Sequence, residues 1–462
     1  MSKFAKFSIV AAVLCLDVCI GLWCLNRANA SGAEGEGEGE CATWLHTYGG
    51  SESEYGYCAK ETPDGGYVVA GSTWFNSAGQ EDASFFKIDA CGAEVWRRTF
   101  GGTWNDAAYS VIAVDGGYVL AGSTWSFGAG GEDAYLTKTD SEGQQLWTNT
   151  FGGEGYDAVY GVLQTPEGGY LLAGESSSFG SGAPGIFPIY DMYLVKTDAV
   201  GNEVWSRTFG GTNNDRAYSV ALAADGGYVL AGSTWSSGAG ESDVYLVKTD
   251  AEGNTLWERT YGGVGSEEAQ CVLQTADGGH LLAGHTSSFG MGSYDVYWVK
   301  TDAAGNEEWA HTWGGPELEL GLSAMQTEDG RYVLAGCTQS FGTGEEFACW
   351  IKTDTQGNLR WRRTFSGWHN AAAQNVLETS DGGYLFCGAT TMLDGSGANV
   401  FVAKTDAEGE VVTGDADLDG MPDEWELGNG LNPEIDDSRE DPDEDRFPNI
   451  MEFFNGTDPF VR

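Results

Sequence analysis

Tryptophan returns along this chain at a nearly constant interval. Trp44, Trp96, Trp147, Trp205, Trp257, Trp309 and Trp361 are successive instances, with Val412 in the next position. The steps are 52, 51, 58, 52, 52, 52 and 51 residues, which makes seven units. A fixed period with short apolar runs inside it restricts the chain to a stacked or circular array of one small unit.

Residues 99–147 show the unit at its fullest. Four runs, Ala108–Ala113, Tyr118–Ser123, Ala134–Thr139 and Gln144–Thr150, carry the Tyr, Val, Leu and Thr that pleated strands favour. Asp115-Gly116-Gly117 separates the first two, and Asp140-Ser141-Glu142-Gly143 the last two. Asp-Gly and Gly-Gly supply the positive φ of tight hairpins, so the four runs form one antiparallel sheet. In Tyr118-Val119-Leu120-Ala121 both alternating faces are apolar, so a neighbour must pack on each side. Sheets closing into a ring hide most strand edges. The expected fold class is therefore all-β: a seven-bladed β-propeller over residues 41–412, closed by an N-terminal strand. Closure rests on Cys41–Gly50, which matches only the last strand of a unit, while Val400–Val412 ends the seventh unit without its Trp. An open solenoid is the alternative.

Asp250-Ala251-Glu252-Gly253-Asn254-Thr255-Leu256-Trp257 resembles the tryptophan-docking motif of quinoprotein-type propellers, with the turn one residue shorter. The resemblance implies that each Trp docks between neighbouring blades, and that truncating one to Ala costs about 3–5 kcal/mol. It does not extend to quinone chemistry. Those enzymes carry adjacent cysteines at the cofactor, and this chain has no Cys-Cys pair. The whole unit, GGY-hydrophobic-AGST…KTD…G…W, is similar to the repeats of secreted bacterial and archaeal propeller proteins.

The net charge of −46 in 462 residues sets the partners. Phosphate backbones need Lys and Arg, so nucleic acid is excluded, and anionic membrane surfaces with it. Cations, neutral sugars and basic proteins remain. Residues 1–30 read as a secretory signal. Lys3 and Lys6 precede the apolar Phe7–Leu25, and Ala28-Asn29-Ala30 fits the cleavage pattern. A retained anchor is the alternative. Residues 31–40 alternate Gly and Glu as a spacer. A secreted or cell-surface monomer, with no membrane insertion after cleavage, is expected. Cys41, Cys58, Cys91, Cys271, Cys337, Cys349 and Cys387 remain. They read mostly as small buried side chains, with Cys41 and Cys91 the one candidate disulfide pair, since both precede a docking Trp.

The longer connections, such as Thr124–Asp133 and Gly101–Asp106, gather at one end of the ring, where propellers usually bind. Trp74, Trp104, Trp125 and Trp235 sit there among Ser and Gly as candidate ligand contacts. Phe187 joins them from the longer third-unit loop Ser178–Asp191, read either as a contact or as a flap over the axis. Phe127, Phe179, Phe289 and Phe341 share one slot and are expected to fold inward between blades. Glu54, Asp106, Asp157, Asp215, Glu267 and Glu319 recur with the repeat. Such recurrence marks turn and capping residues rather than a catalytic pair. Lys87, Lys138, Lys196, Lys248, Lys300, Lys352 and Lys404 are expected to bond neighbouring turns. The five histidines show no metal or nucleophile pattern, and no catalytic residue is assigned.

After Gly414 the composition turns acidic. Asp415, Asp417, Asp419, Met421, Asp423 and Glu426 fall at positions 1, 3, 5, 7, 9 and 12 of a calcium loop, with Gly420 at the turn. Asp441, Asp443, Asp445, Phe447, Asn449 and Glu452 repeat the pattern 26 residues on, with Arg446 where the turn Gly belongs. Each loop runs into a short helix ended by Gly430 or Gly456. Residues 413–462 thus read as a small EF-hand-like module with calcium as cofactor, and the pair resembles thrombospondin type 3 and dockerin-like repeats. Two functions follow. One is a non-enzymatic scaffold presenting loops to an extracellular glycan or protein. The alternative is an extracellular polysaccharide-active enzyme with its site on the same loops.

Overall fold

The computed structural model describes residues 43–411 except 51, 75–76, 78–79, 181–187, 342–345, 366–368 and 392–396. Beyond them it describes 421, 423–433, 437, 440–443, 448–449, 452 and 459–460. Seven four-stranded antiparallel sheets appear. Blades 1 to 6 run Glu54–Phe100, Asp106–Phe151, Asp157–Phe209, Asp215–Tyr261, Glu267–Trp313 and Glu319–Phe365. The seventh sheet holds His369–Glu378, Tyr384–Thr391, Ala398–Thr405 and the leading strand Trp44–Tyr48. That leading strand lies antiparallel to Ala398–Thr405 in the register Trp44↔Lys404 to Tyr48↔Val400. The first strands of successive blades contact one another around the whole circle, blade 7 against blade 1 included. In blade 2 the strands run Asp106–Val114, Gly117–Thr124, Asp133–Thr139 and Gln145–Phe151, within two residues of the expected bounds.

The tryptophan of each blade meets the turn of the next. A Cβ on Gly253, whose φ is 79°, would lie 2.7 Å from the Trp205 ring. Only glycine fits that combination of backbone angle and close approach. The residue two past the tryptophan then straps the joint. Arg98 donates to the Glu142 carbonyl at 2.8 Å, Asn149 to Gly201 at 3.0 Å, and Arg259 to Ala304 at 3.2 Å. At the joint between blades 7 and 1, Trp44 donates to the Ala90 carbonyl at 2.9 Å and Tyr48 to Gly92 at 2.6 Å. Trp44 is buried, and the other six docking rings remain partly exposed.

The lysines behave as expected. Lys248 binds Asp225 at 2.8 Å and Lys300 binds Asp277 at 2.9 Å, each acid in the first hairpin turn of the same blade. Cys58, Cys271, Cys337, Cys349 and Cys387 are buried thiols outside any disulfide. Cys91 is disulfide-bonded, and its partner lies outside the described residues, as does Cys41. Among the described residues no helix is long and apolar enough to cross a membrane.

One feature of the first strands escaped the sequence. Each of them slips register at the same place, as at Val159/Gly161 and Ala217/Ser219, and the seventh slips a second time between His369 and Ala372. The skipped residues are Tyr57, Tyr109, Tyr160, Tyr218, Gln270, Leu322 and Gln374. A bulge re-aims the extra side chain, and on innermost strands it aims at the axis. Four consecutive tyrosines form a chain of ring contacts there, at 5.3, 5.3 and 5.8 Å.

Candidate functional site at the loop-bearing end

The candidate tryptophans all lie on the surface at the end that carries the long loops. Trp74, Trp104, Trp125 and Trp235 are 42%, 55%, 43% and 52% exposed. Their backbone is pinned. The amides of Trp74, Trp125 and Trp235 donate to the carbonyls of Ser53, Asn105 and Asn214, each at 2.9 Å. The Trp104 amide donates to Ser126 Oγ at 3.0 Å. Trp125 also packs on Tyr156 of the next inter-blade loop, with centroids 5.4 Å apart. Phe187 lies outside the described residues. The phenylalanine slot divides: Phe341 stacks on Trp313 of the preceding blade at 5.0 Å, as expected, while the other three differ. Phe127, Phe179 and Phe289 are 52%, 43% and 43% exposed, because one ring edge leans on a blade, as Phe179 does on Tyr193, and the other faces solvent.

The recurrent acids are buried latches. Asp106 Oδ2 accepts the Gly102 amide at 2.8 Å and the Ser126 hydroxyl at 2.7 Å. Asp215 does the same with Gly211 and Ser236, both at 2.7 Å. Glu267 and Glu319 also receive the Thr286 and Thr338 hydroxyls, at 2.7 and 2.8 Å, as Asp106 receives that of Thr124. These carboxylates hold the loops in shape, as their recurrence suggested.

A different set of charges breaks the repeat. Where blades 1, 2 and 4 have Ser72, Ser123 and Ser233, blade 3 has Glu175 and blade 5 has His285. Where blades 2 and 3 have Ala107 and Ala158, blade 4 has Arg216 and blade 5 has Glu268. The Arg216 and Glu175 charges meet across two blades at 2.6 Å, as an ionic contact rather than a directed hydrogen bond. Tyr160, one of the bulge residues, donates to Glu175 Oε1 at 2.9 Å. Arg216 also lies 5.2 Å over the Tyr190 ring. Glu268 stands directly opposite His285 in the strand register. Burial pushes the Glu175 carboxyl up, against the pull of Arg216 and Tyr160. It lowers His285, with Glu268 opposing. Glu132 is pushed up from 4.5 to about 7, mainly by burial, while Ser123 draws it down and the Glu175 charge adds to the rise. Sequence reading missed this cluster, though its members are visible as single departures from the repeat.

Five expected calcium ligands, Asp415, Asp417, Asp419, Asp445 and Phe447, lie outside the described residues, and so does the side chain of Asp423. Met421, Glu426, Asn449 and Glu452 are buried, while Asp441 and Asp443 are half-buried. Asp423–Asn429 is a helix, and Gly430 follows it at φ 79°. Asn449 donates to the Asp437 carbonyl at 2.9 Å, but its own Oδ1 accepts no hydrogen bond. Among the described residues no three His, Cys, Asp or Glu side chains gather as a metal group.

No family model matches the chain. It is similar to the regulatory protein FlaEY of Caulobacter vibrioides, at 29% identity over 168 residues. The match takes in 34% of this chain and only 16% of that protein. The WD40 domain of Neurospora crassa Pan2 aligns at 12% identity over 74% of this chain and 86% of that one, with a TM-score of 0.45. Sqt1 of Chaetomium thermophilum aligns at 12% identity over 73% and 80%, with a TM-score of 0.43. The seven-bladed fold stands on the chain's own strand pairing.

Proposed function

We propose that this chain is a secreted, non-enzymatic binding scaffold whose loop-bearing end takes an extracellular glycan or protein. The observation that carries the reading is the set of half-exposed indoles held by pinned backbone: Trp74, Trp104, Trp125 and Trp235. Aromatic faces at fixed positions suit sugar rings and peptide side chains, and ordering them in advance lowers the entropy lost on binding. The Cys91 disulfide supports export, since such bonds persist in oxidising compartments. The test is a glycan and protein array probed with the purified chain, repeated with the triple variant Trp74→Ala, Trp125→Ala, Trp235→Ala. The reading expects loss of about tenfold or more in affinity. An unchanged binding profile would overturn it.

Calcium belongs to the same proposal. Glu426 and Glu452 are buried carboxylates in a very acidic chain, and Asn449 Oδ1 is a buried acceptor that receives no hydrogen. Buried oxygens of this kind suit a hard cation. Glu426 and Glu452 would each give a carboxylate and Met421 a carbonyl. The cation would supply positive charge among acids that otherwise repel. Calorimetric titration of the full chain with calcium should saturate at about 10⁻⁴–10⁻³ M, and Glu426→Gln with Glu452→Gln should abolish the heat. Heat that survives both substitutions would dismiss these ligands.

A hydrolytic reading has one observation in its favour. Glu132, at about 7, has the proton affinity of a general acid near neutral pH. Against it, Glu175 is already engaged by Arg216 and Tyr160. Release of reducing ends from polysaccharides, lost in Glu132→Gln, would make the enzyme the better account.

A further inference from the structure

The residue after each docking tryptophan points along the face its blade turns to the preceding blade. Around the ring these residues are Leu45, Arg97, Thr148, Ser206, Glu258, Ala310 and Arg362. In blade 1, Arg97 lies across its own sheet. Its Nη1 donates to Glu54 at 2.7 Å and to Ser84 Oγ at 3.3 Å, and its guanidinium sits 4.3 Å over the Phe86 ring. In blade 6, Arg362 lies 3.8 Å over Phe341 and 5.7 Å from Trp313. Twice, then, the inter-blade recess is filled by the protein's own arginine.

In blade 2 the corresponding residue is Thr148, and the recess is open. It forms a cleft of about 530 Å³ lined by Phe100, Asp106, Phe127, Tyr135, Thr137 and Thr148, among others. That volume is within the range of about 300–1,000 Å³ for small-molecule sites. The walls match the two filled recesses. Phe127 holds the place of Phe341, and Phe100 that of Trp313. Asp106 holds the place of Glu54, the acid that receives Arg97. Tyr135 holds the place of Ser84, which also receives Arg97. In blades 3 and 4 this tyrosine has a partner, Ser206 for Tyr193 and Glu258 for Tyr245. In blade 2 the buried Tyr135 hydroxyl has none among the described residues.

We infer that the blade 2 cleft is a receptor site for a guanidinium group, the side chain of an arginine presented by a basic partner protein. The planar cation would stack on Phe127, as Arg362 does on Phe341. It would be held by the Asp106 carboxylate and the Tyr135 hydroxyl, as Arg97 is by Glu54 and Ser84, with the neutral Gln145 in the place of Glu94, which takes the other edge of Arg97 at 2.8 Å. Asp106 already receives Gly102, Ser126 and Thr124. A carboxylate offers about four lone-pair sites, so one more donor fits. The net charge of −46 draws such a partner in. This inference goes beyond the loop-end reading and does not need it.

The test uses the full chain and N-acetyl-argininamide as probe, followed by ligand-observed NMR, with N-acetyl-lysinamide as control. Saturable binding of the arginine probe is expected, about tenfold tighter than the lysine probe, because only guanidinium both stacks flat and forks. Thr148→Arg should fill the cleft from within and lower probe affinity by about tenfold or more, with thermal stability kept or raised. Tyr135→Phe, which removes a hydroxyl without a protein partner, should weaken the probe while leaving the fold intact. Three results would each overturn the inference: no saturable binding, equal response to both probes, or binding untouched by both variants. Loss of the loop-end reading would appear separately, in the tryptophan variants and not in these.

Discussion

At the scale of single residues, Glu132 sets a pH dependence with a definite sign. Its carboxyl titrates at about 7 in the fold, against 4.5 ordinarily. The folded chain therefore holds this proton more tightly than the unfolded chain. The stabilisation is fully present below about 4.5 and is lost as pH rises through 7. Thermal melts from pH 4 to 8 should show the wild type losing stability relative to Glu132→Gln across that window. Parallel curves would refute the assignment. Arg216 makes the second residue-scale case. Replacing it with Ala leaves Glu175 buried beside Tyr160 alone, at a cost of about 1–3 kcal/mol in thermal or urea unfolding. Adding Glu175→Gln to that variant should recover most of the loss, since the charge that needed a partner is gone. Both residues could be seen in the sequence as misfits in their slots, but their meeting could not. It depends on the bulges at Tyr160 and Tyr218, which turn on backbone register and leave no mark in residue type.

At the scale of strands and turns, the joint between blades is the repeated unit of stability. The sequence made the joint legible because tryptophan, turn glycine and strap residue keep their spacing. The Trp205 ring is only partly buried, so Trp205→Ala is expected near the low end of the range, about 3 kcal/mol. Gly253→Ala should be as harmful, because the added methyl meets the Trp205 ring at a positive φ. Urea unfolding of both variants checks this, and a change under about 0.5 kcal/mol for Gly253→Ala would mean the turn is looser than drawn. Phe127, Phe179 and Phe289 depart from the expected inward fold for a related reason. Residue type announces a large apolar ring, but the share of it that faces water depends on how far a Gly-rich loop stands off the blade.

At the scale of the whole molecule, the two ends of the ring are linked through Trp44–Tyr48, which pairs with the last blade and reaches the Asp89–Gly92 turn of the first. A chain beginning at Glu54 is expected to lose much of its cooperativity and to expose the Ala398–Thr405 edge to protease. Cys91→Ser should destabilise by about 2–4 kcal/mol if its disulfide ties down the same segment, and reducing agent should reproduce the effect on the wild type. A melting temperature indifferent to both would show that blade-to-blade packing holds the circle without help from the leading segment.

The tyrosines contributed by four successive bulges have one more consequence. They occupy the hub about which the blades are arranged, with Tyr57, Tyr109 and Tyr218 nearly shielded from water. They line that hub on the side of blades 1 to 4, so a solute moving along the axis there meets a row of four phenol rings.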